Sequence, residues 1–473
     1  MNDISNNIKK VLFIFLLFFV ILISYIAYFE VFTAPKIVSN PMNKRLWAQR
    51  NEVLRGTMYD RNHQPLTKSE RVDTLTQKRE YIGGEAFAHA LGYLDPVYGI
   101  TGLERNYDSQ LMKDDISVSK LFSFNETKVE KIGHDLVTTL DINLQKKAYE
   151  LLGDKRGSVV ALNPKTGEIL AMISKPSFDP NNLAKNWKAI NADKNRPLLN
   201  RAVSGLYPPG STFKVITSLS ALENISGIKT KSFQDNGKLV FNANQSLSNF
   251  EGETLGTLNF KDSFVHSSNV VFGGLGLELG NAKLKATAEK FYFNKSIPCD
   301  GIIIDNSRFP QYKSAEIGNI AQSAIGQSGV LATPMEMALV ASTVANGGIM
   351  MKPYLVDKEM TNKGTLVKQT SPEAVATVVS KENANYMKDL MRAVVSSGTG
   401  SAANIQGLNV CGKTGTAENS IDGKPAESHS WFIAFAPYDD PQIAISVIVE
   451  NGGQGGGLAA NIAGELIKLN LKK

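Results

Sequence analysis

The chain opens on an apolar run, Val11 to Phe29, that is 19 residues long, carries no charge and is rich in Leu, Ile and Phe. A bilayer-spanning helix needs about 20 such residues, whereas the apolar core of a cleaved signal is about 7–15 and ends at a small-residue site. No A-x-A follows, so the run reads as a retained anchor. From Arg55 to about Asp135 the pattern has no sustained helical period. It shows short alternating stretches and turn signals such as Gly83-Gly84 and Asp95-Pro96, which predict a small, irregular α+β module. Asp141 to Leu152 has a helical pattern, and residues 157–173 read as strand, turn and strand, with Asn163-Pro-Lys-Thr-Gly167 at the turn. Helical stretches around 211–223 and 332–346 follow, then strands at Trp431–Ala436 and Ile443–Val449 and a last helix near Ala459–Leu469. The chain thus divides into a tail (1–10), an apolar helix (11–30), a small module (31–150) and a large unit (151–473).

Composition narrows the classes. At 473 residues, 42% hydrophobic and 20% charged, the chain is ordinary globular protein of roughly two to three units. A net charge of +6 over that length is too dilute to argue for nucleic acid. The two cysteines, Cys299 and Cys411, have no C-x-x-C partner and no histidine at metal spacing, so neither zinc nor a disulfide framework is expected. Lys9 and Lys10 precede the apolar run, but Lys36, Lys44, Arg45 and Arg50 follow it, so flanking charge alone leaves its orientation open.

The chemistry concentrates in Tyr207-Pro-Pro-Gly-Ser-Thr-Phe-Lys214, a turn followed by a helix with apolar residues at 215, 216, 219 and 222. Lys214 lies three residues after Ser211, one helical turn on, where its amine can reach the hydroxyl as a base. The helix N-terminus favours negative charge developing nearby. To serve near neutral pH, Lys214 must fall roughly 3 pKa units, or about 4 kcal/mol, through burial and a second cation. Spacing alone proves little, because S-x-x-K also occurs at Ser117 and Ser226. S-x-N occurs at Ser5, Ser123 and Ser267, and Lys-Thr-Gly at Lys165 and Lys413. Only Ser211 combines the Pro-Pro-Gly lead-in and striped helix with a downstream Ser267-Ser268-Asn269 and a second Lys413-Thr414-Gly415. The copy at Lys165 reads as a hairpin turn. Val410 to Thr416 reads as strand, with Lys413 and Gly415 on one face and a glycine that lets a peptide backbone approach.

That ordered set is the signature of penicillin-binding proteins and class A β-lactamases, and the chain resembles the penicillin-binding protein family. Arg55-Gly, Asp60-Arg61, Gly102-Leu-Glu104, Tyr107, Asn200-Arg-Ala202, Ala324-Ile-Gly-Gln327, Thr333-Pro334 and His429-Ser-Trp-Phe432 add to the resemblance, which spans about residue 55 to the end. No E-x-x-x-N lies between Ser267 and Lys413 to position a hydrolytic water, and the roughly 25 residues after the anchor cannot hold a glycosyltransferase domain. The chain is therefore similar to the monofunctional class B members, of the penicillin-binding protein A type.

The resemblance implies an α/β (α+β) fold of the β-lactamase/transpeptidase kind, an antiparallel sheet flanked by helices, with a small dimerisation or pedestal module before it and one transmembrane helix. It implies an extracytoplasmic D,D-transpeptidase that cross-links peptidoglycan stem peptides, reacts covalently with β-lactams, works beside a glycosyltransferase and needs no cofactor or metal. Ser211 is then the nucleophile, Lys214 its base and Ser267 a proton relay. Asn269 holds the substrate amide and Lys214, Lys413 and Thr416 bind the terminal carboxylate, and Thr414 and Gly415 line the substrate strand. The oxyanion falls between the N–H groups of Ser211 and Thr416. A histidine triad finds no G-x-S-x-G, His429 reads as structural, and Gly452–Gly457 fits no phosphate-loop spacing. A D,D-carboxypeptidase, a penicillin sensor and a non-catalytic scaffold are the other readings. The short tail offers a sensor no signalling domain, and the pedestal favours transpeptidation.

Overall fold

The computed structural model describes residues 2–34, 47, 50–73, 76–114, 130–243, 245–421 and 424–472. The rival motif serines Ser117 and Ser123 and the flanking cations Lys36, Lys44 and Arg45 lie outside the described residues. The apolar run forms helix α1 (Asn2–Tyr28), which continues as a wider turn to Thr33. It is long and apolar enough to cross a membrane, and none of it is buried against the protein.

The small module is held by charge as much as by oil. The Arg55 guanidinium donates to Glu104 at 2.5 Å and to Asp108 at 2.6 Å, and Arg79 donates to Glu104 at 2.8 Å. Arg55 and Glu104 are fully buried, and a buried carboxylate is tolerable only when so paired. The resemblance at Arg55-Gly and Gly102-Leu-Glu104 thus marks one structural ion cluster. Strand Met58–Tyr59 pairs in parallel with Asp135–Thr138, which pairs antiparallel with Val356–Met360 and through it with Leu366–Gln369. Half of that sheet therefore comes from the large unit.

The large unit is built on β1 (Gly157–Leu162), β2 (Ile169–Lys175), β3 (Cys411–Ile421), β4 (Lys424–Ala436) and β5 (Ile443–Val449), in the order β3-β4-β5-β1-β2, all antiparallel. Around it lie α2 (Ile142–Leu151), α3 (Lys214–Asn224), α4 (Asn269–Lys290), α5 (Pro334–Ala345), α6 (Lys381–Ser397) and α7 (Leu458–Leu471). On one face α2 and α7 bury Leu144, Ala148, Ala463 and Leu466 against Phe432, Ile445 and Val447. On the other, α5 is buried over its whole length and packs on β1, β4 and β5. Because both faces are covered, β1 and β5 are buried at every position rather than at alternate ones. Thr333 caps α5 by accepting from Glu336 N–H at 3.1 Å, with Pro334 at the first helical position.

The architecture matches the expected antiparallel sheet flanked by helices, with a small N-terminal module and one apolar helix. Helix α2, placed before the boundary at 150, packs on β2 and α7. α4, interrupted at Gly280, and α6 were not anticipated from the sequence.

Candidate active site

The Pro-Pro-Gly lead-in sets Ser211 against the edge strand β3. Tyr207 exchanges backbone hydrogen bonds with Ala332 at 3.1 and 2.8 Å, and Gly210 N–H donates to Gly326 O at 3.1 Å. Gly210 has φ +54°, and a Cβ there would lie 2.7 Å from the Thr416 carbonyl. Only glycine fits that approach. Gly210–Phe213 form a tight 3-10 turn, and α3 starts at Lys214. Thr212 and Phe213 are fully buried, Phe213 stacked on Phe309, which leaves Ser211 half-buried on the wall of the groove.

That groove, of about 700 Å³, is lined among others by Ser211, Ser267, Asn269, Thr414, Thr416 and Gln454. Five of the eight site residues singled out in the sequence therefore line one groove, and Lys214, Lys413 and Gly415 sit behind its wall. Lys214 and Lys413 are completely buried. The Lys214 amine donates to Ser267 O at 2.6 Å, Asn269 Oδ1 at 2.8 Å and Ser267 Oγ at 3.3 Å. The Lys413 amine donates to Ser267 Oγ at 2.8 Å and Thr414 O at 3.2 Å. Ser267 Oγ thus stands between two amines. Lys413, expected at the substrate carboxylate, lies behind Ser267, and the hydroxyl-bearing residues of β3 that reach the groove are Thr414 and Thr416.

Burial, reinforced by the positive charge of Lys413, holds Lys214 well below the ordinary lysine value, against an opposing pull from Asp235. Burial alone pushes Lys413 down to about 7. A neutral Lys214 donates two hydrogens, to Ser267 O and Asn269 Oδ1, and keeps a lone pair to accept a proton.

Glycines fit the loop after β5 onto this strand. A Cβ at Gly455 would lie 2.3 Å from Gly415 O, and one at Gly415 would lie 2.9 Å from Pro209 O. Gly452–Gly457 is therefore a closely packed border of the groove. Thr416 Oγ1 accepts from Gly455 N–H at 3.4 Å, and Thr414 Oγ1 lies 2.6 Å from Thr399 Oγ1. Thr399 was missed because its only signal is a Gly-Thr-Gly turn after α6. The rival motifs lie apart: Ser226 is exposed after α3, and Lys165 sits in the β1–β2 turn paired with Asp440. His429 accepts from Asn451 N–H at 3.1 Å and packs edge-on to Tyr207, a structural placement. Among the described residues no group of three His, Cys, Asp or Glu side chains is placed to hold a metal ion.

A half-buried serine one turn before a desolvated lysine, with a second serine between that lysine and another, is the arrangement that serine–lysine acyl transfer requires. Residues 157–468 match the penicillin binding protein transpeptidase domain and residues 55–128 the penicillin binding protein A dimerisation domain; the chain belongs to the penicillin-binding protein transpeptidase family. It is 34% identical to a peptidoglycan D,D-transpeptidase PbpA of Mycolicibacterium smegmatis over 99% of both chains, and 32% identical to the Mycobacterium tuberculosis PbpA over 94% of both. The ceftriaxone acyl-enzyme structure of penicillin-binding protein A from M. tuberculosis superposes with TM-score 0.82 at 31% identity, covering 90% of this chain and all of that one. The class B, penicillin-binding protein A resemblance drawn from the motifs is borne out.

Proposed function

We propose that the chain is a peptidoglycan D,D-transpeptidase that works through a Ser211 acyl-enzyme and is acylated at the same serine by β-lactams. The observation that carries this is the Lys214 amine, buried, held by Ser267 and Asn269, and kept well below the ordinary lysine value by burial and Lys413. Ser211 Oγ bonds to the penultimate D-alanine carbonyl while its proton passes to Lys214. As the peptide C–N bond breaks, Ser267, placed between the two amines, relays the proton to the leaving D-alanine nitrogen. The amine of a second stem peptide then displaces Ser211 by the reverse transfers. Asn269 orients the substrate amide, and Thr414 and Thr416 bind the terminal carboxylate in the field of Lys413. Gly415, expected beside the substrate, instead leaves room for the Ser211 lead-in to pack on β3. The N–H groups of Ser211 and Thr416 take the oxyanion, worth about 3–4 kcal/mol per donor in comparable sites.

The organisation proposed with it is a short cytoplasmic tail, a single-pass anchor at 11–30, a pedestal module to about 150, and a monofunctional catalytic domain outside the membrane. A separate glycosyltransferase then supplies the glycan strands. Relatives named D,D-transpeptidase and the β-lactam acyl-enzymes of a structural neighbour support this reading. Ser211→Ala and Lys214→Ala should each abolish labelling by a fluorescent penicillin while the fold, followed by circular dichroism, is retained. Appreciable labelling of the serine variant would sink the assignment.

A further inference from the structure

Strand Ser232–Asp235 pairs with Gly256–Asn259 in a two-stranded ribbon beside the groove, and its last residue, Asp235, is fully buried. Four contacts with neutral donors satisfy its carboxylate. Oδ1 accepts from Gly237 N–H and from Asn249 Nδ2, each at 2.8 Å, and Oδ2 accepts from Asn249 Nδ2 at 2.9 Å and from the Ser268 hydroxyl. Both side-chain donors then turn their own oxygens on the start of α4. Asn249 Oδ1 accepts from the N–H groups of Asn269 at 2.8 Å and Val270 at 3.2 Å, and Ser268 Oγ accepts from Val271 N–H at 3.0 Å. Three N–H groups that a helix start leaves unpaired are thus capped by side chains that one buried carboxylate holds.

The residues so gripped carry the lysine. Ser267, immediately before, sits at φ +58°, a left-handed conformation that a non-glycine residue keeps only when its surroundings impose it. From that turn Ser267 O, Ser267 Oγ and Asn269 Oδ1 reach the Lys214 amine, and Ser267 Oγ also reaches Lys413. We propose that Asp235 is a positioning residue for acyl transfer: through Ser268 and Asn249 it fixes the Ser267–Asn269 turn that holds the Lys214 amine, and its negative charge opposes that of Lys413 there. The proposal rests on Ser211 and Lys214 being the acylating pair.

The test is the rate of acylation by a fluorescent penicillin as a function of pH, with the full-length protein in detergent micelles. Asp235→Asn keeps the size of the side chain but presents an amide to donors. It should slow acylation about 10²-fold, the scale of a small misplacement of catalytic groups. Lys214 faces Lys413 from β3 and Asp235 from the ribbon, with His266 at the end of Phe260–Val265 on the groove wall. Removing the carboxylate leaves Lys413 unopposed, so the Lys214 amine is free at lower pH and the acidic limb of the profile moves down. Ser268→Ala keeps the charge and loses one link. It should acylate about 10-fold more slowly with the acidic limb unmoved. Asp235→Asn with a wild-type rate and profile overturns the proposal, and so does a slowing that is equal at every pH. Should Asp235→Asn not fold, a folded Ser268→Ala decides, since a wild-type rate there overturns it. Ser211→Ala is run alongside, because its labelling would mean that the acylation reading, rather than the role of Asp235, has failed.

Discussion

Lys413 gives up its proton at about 7 in the folded protein because it is buried, whereas in the unfolded chain it holds one to about 10.4. Between those values the unfolded chain binds the extra proton, so this residue adds stability as pH rises from about 7 toward 10 and withholds it below. Lys413→Met is expected to flatten that rise in the thermal midpoint, to raise the midpoint at pH 7, and to abolish penicillin labelling. A midpoint at pH 7 lower than wild type would contradict the burial argument. Ser211, Lys214, Ser267, Asn269 and Lys413 were readable because each falls in a short, ordered motif. Asp235 was not, since its partners Asn249 and Ser268 lie 14 and 33 residues away with no shared pattern.

Among the elements, glycine hid α4, whereas the glycine-free α6 went unread despite its helical apolar spacing. The β1–β2 hairpin, β5 and α7 fall where alternation or apolar runs place them. α4 escaped notice because Gly273, Gly274, Gly276 and Gly280 look like breakers. In the structure a Cβ at Gly273 would lie 2.6 Å from the Leu247 side chain, and one at Gly276 would lie 2.5 Å from that of Ala324. Those two glycines let the helix sit close to its neighbours. The same logic governs the meeting of the Ser211 turn with β3. Gly210→Ala adds a methyl against the Thr416 carbonyl at a positive φ, so the turn must move away from the strand. Acylation should fall at least 10²-fold and stability by about 1–3 kcal/mol, read from labelling kinetics and thermal unfolding of the same sample.

Across the whole molecule, the ion cluster in the small module and the sheet it shares with the large unit set how the two parts hold together. Glu104→Ala leaves buried Arg55 with Asp108 as its one carboxylate and takes the carboxylate from Arg79, which costs up to about 3–5 kcal/mol; a lowered thermal midpoint with penicillin labelling retained at low temperature is expected. Loss of labelling in the folded variant would instead tie the cluster to the catalytic groove. The module was the least legible region because what completes it is remote. Asp135–Thr138 pairs with Val356–Met360, and His134 bonds to Glu359 at 2.6 Å across 225 residues of chain. Such a contact has a timetable. A chain emerging from its N-terminus exposes the open edge of Asp135–Thr138 through the synthesis of most of the catalytic unit. That edge closes only once residues near 360 arrive. Completion of the small module therefore waits on the large unit, and a graft of residues 50–150 onto another catalytic domain would carry an unfinished sheet with it.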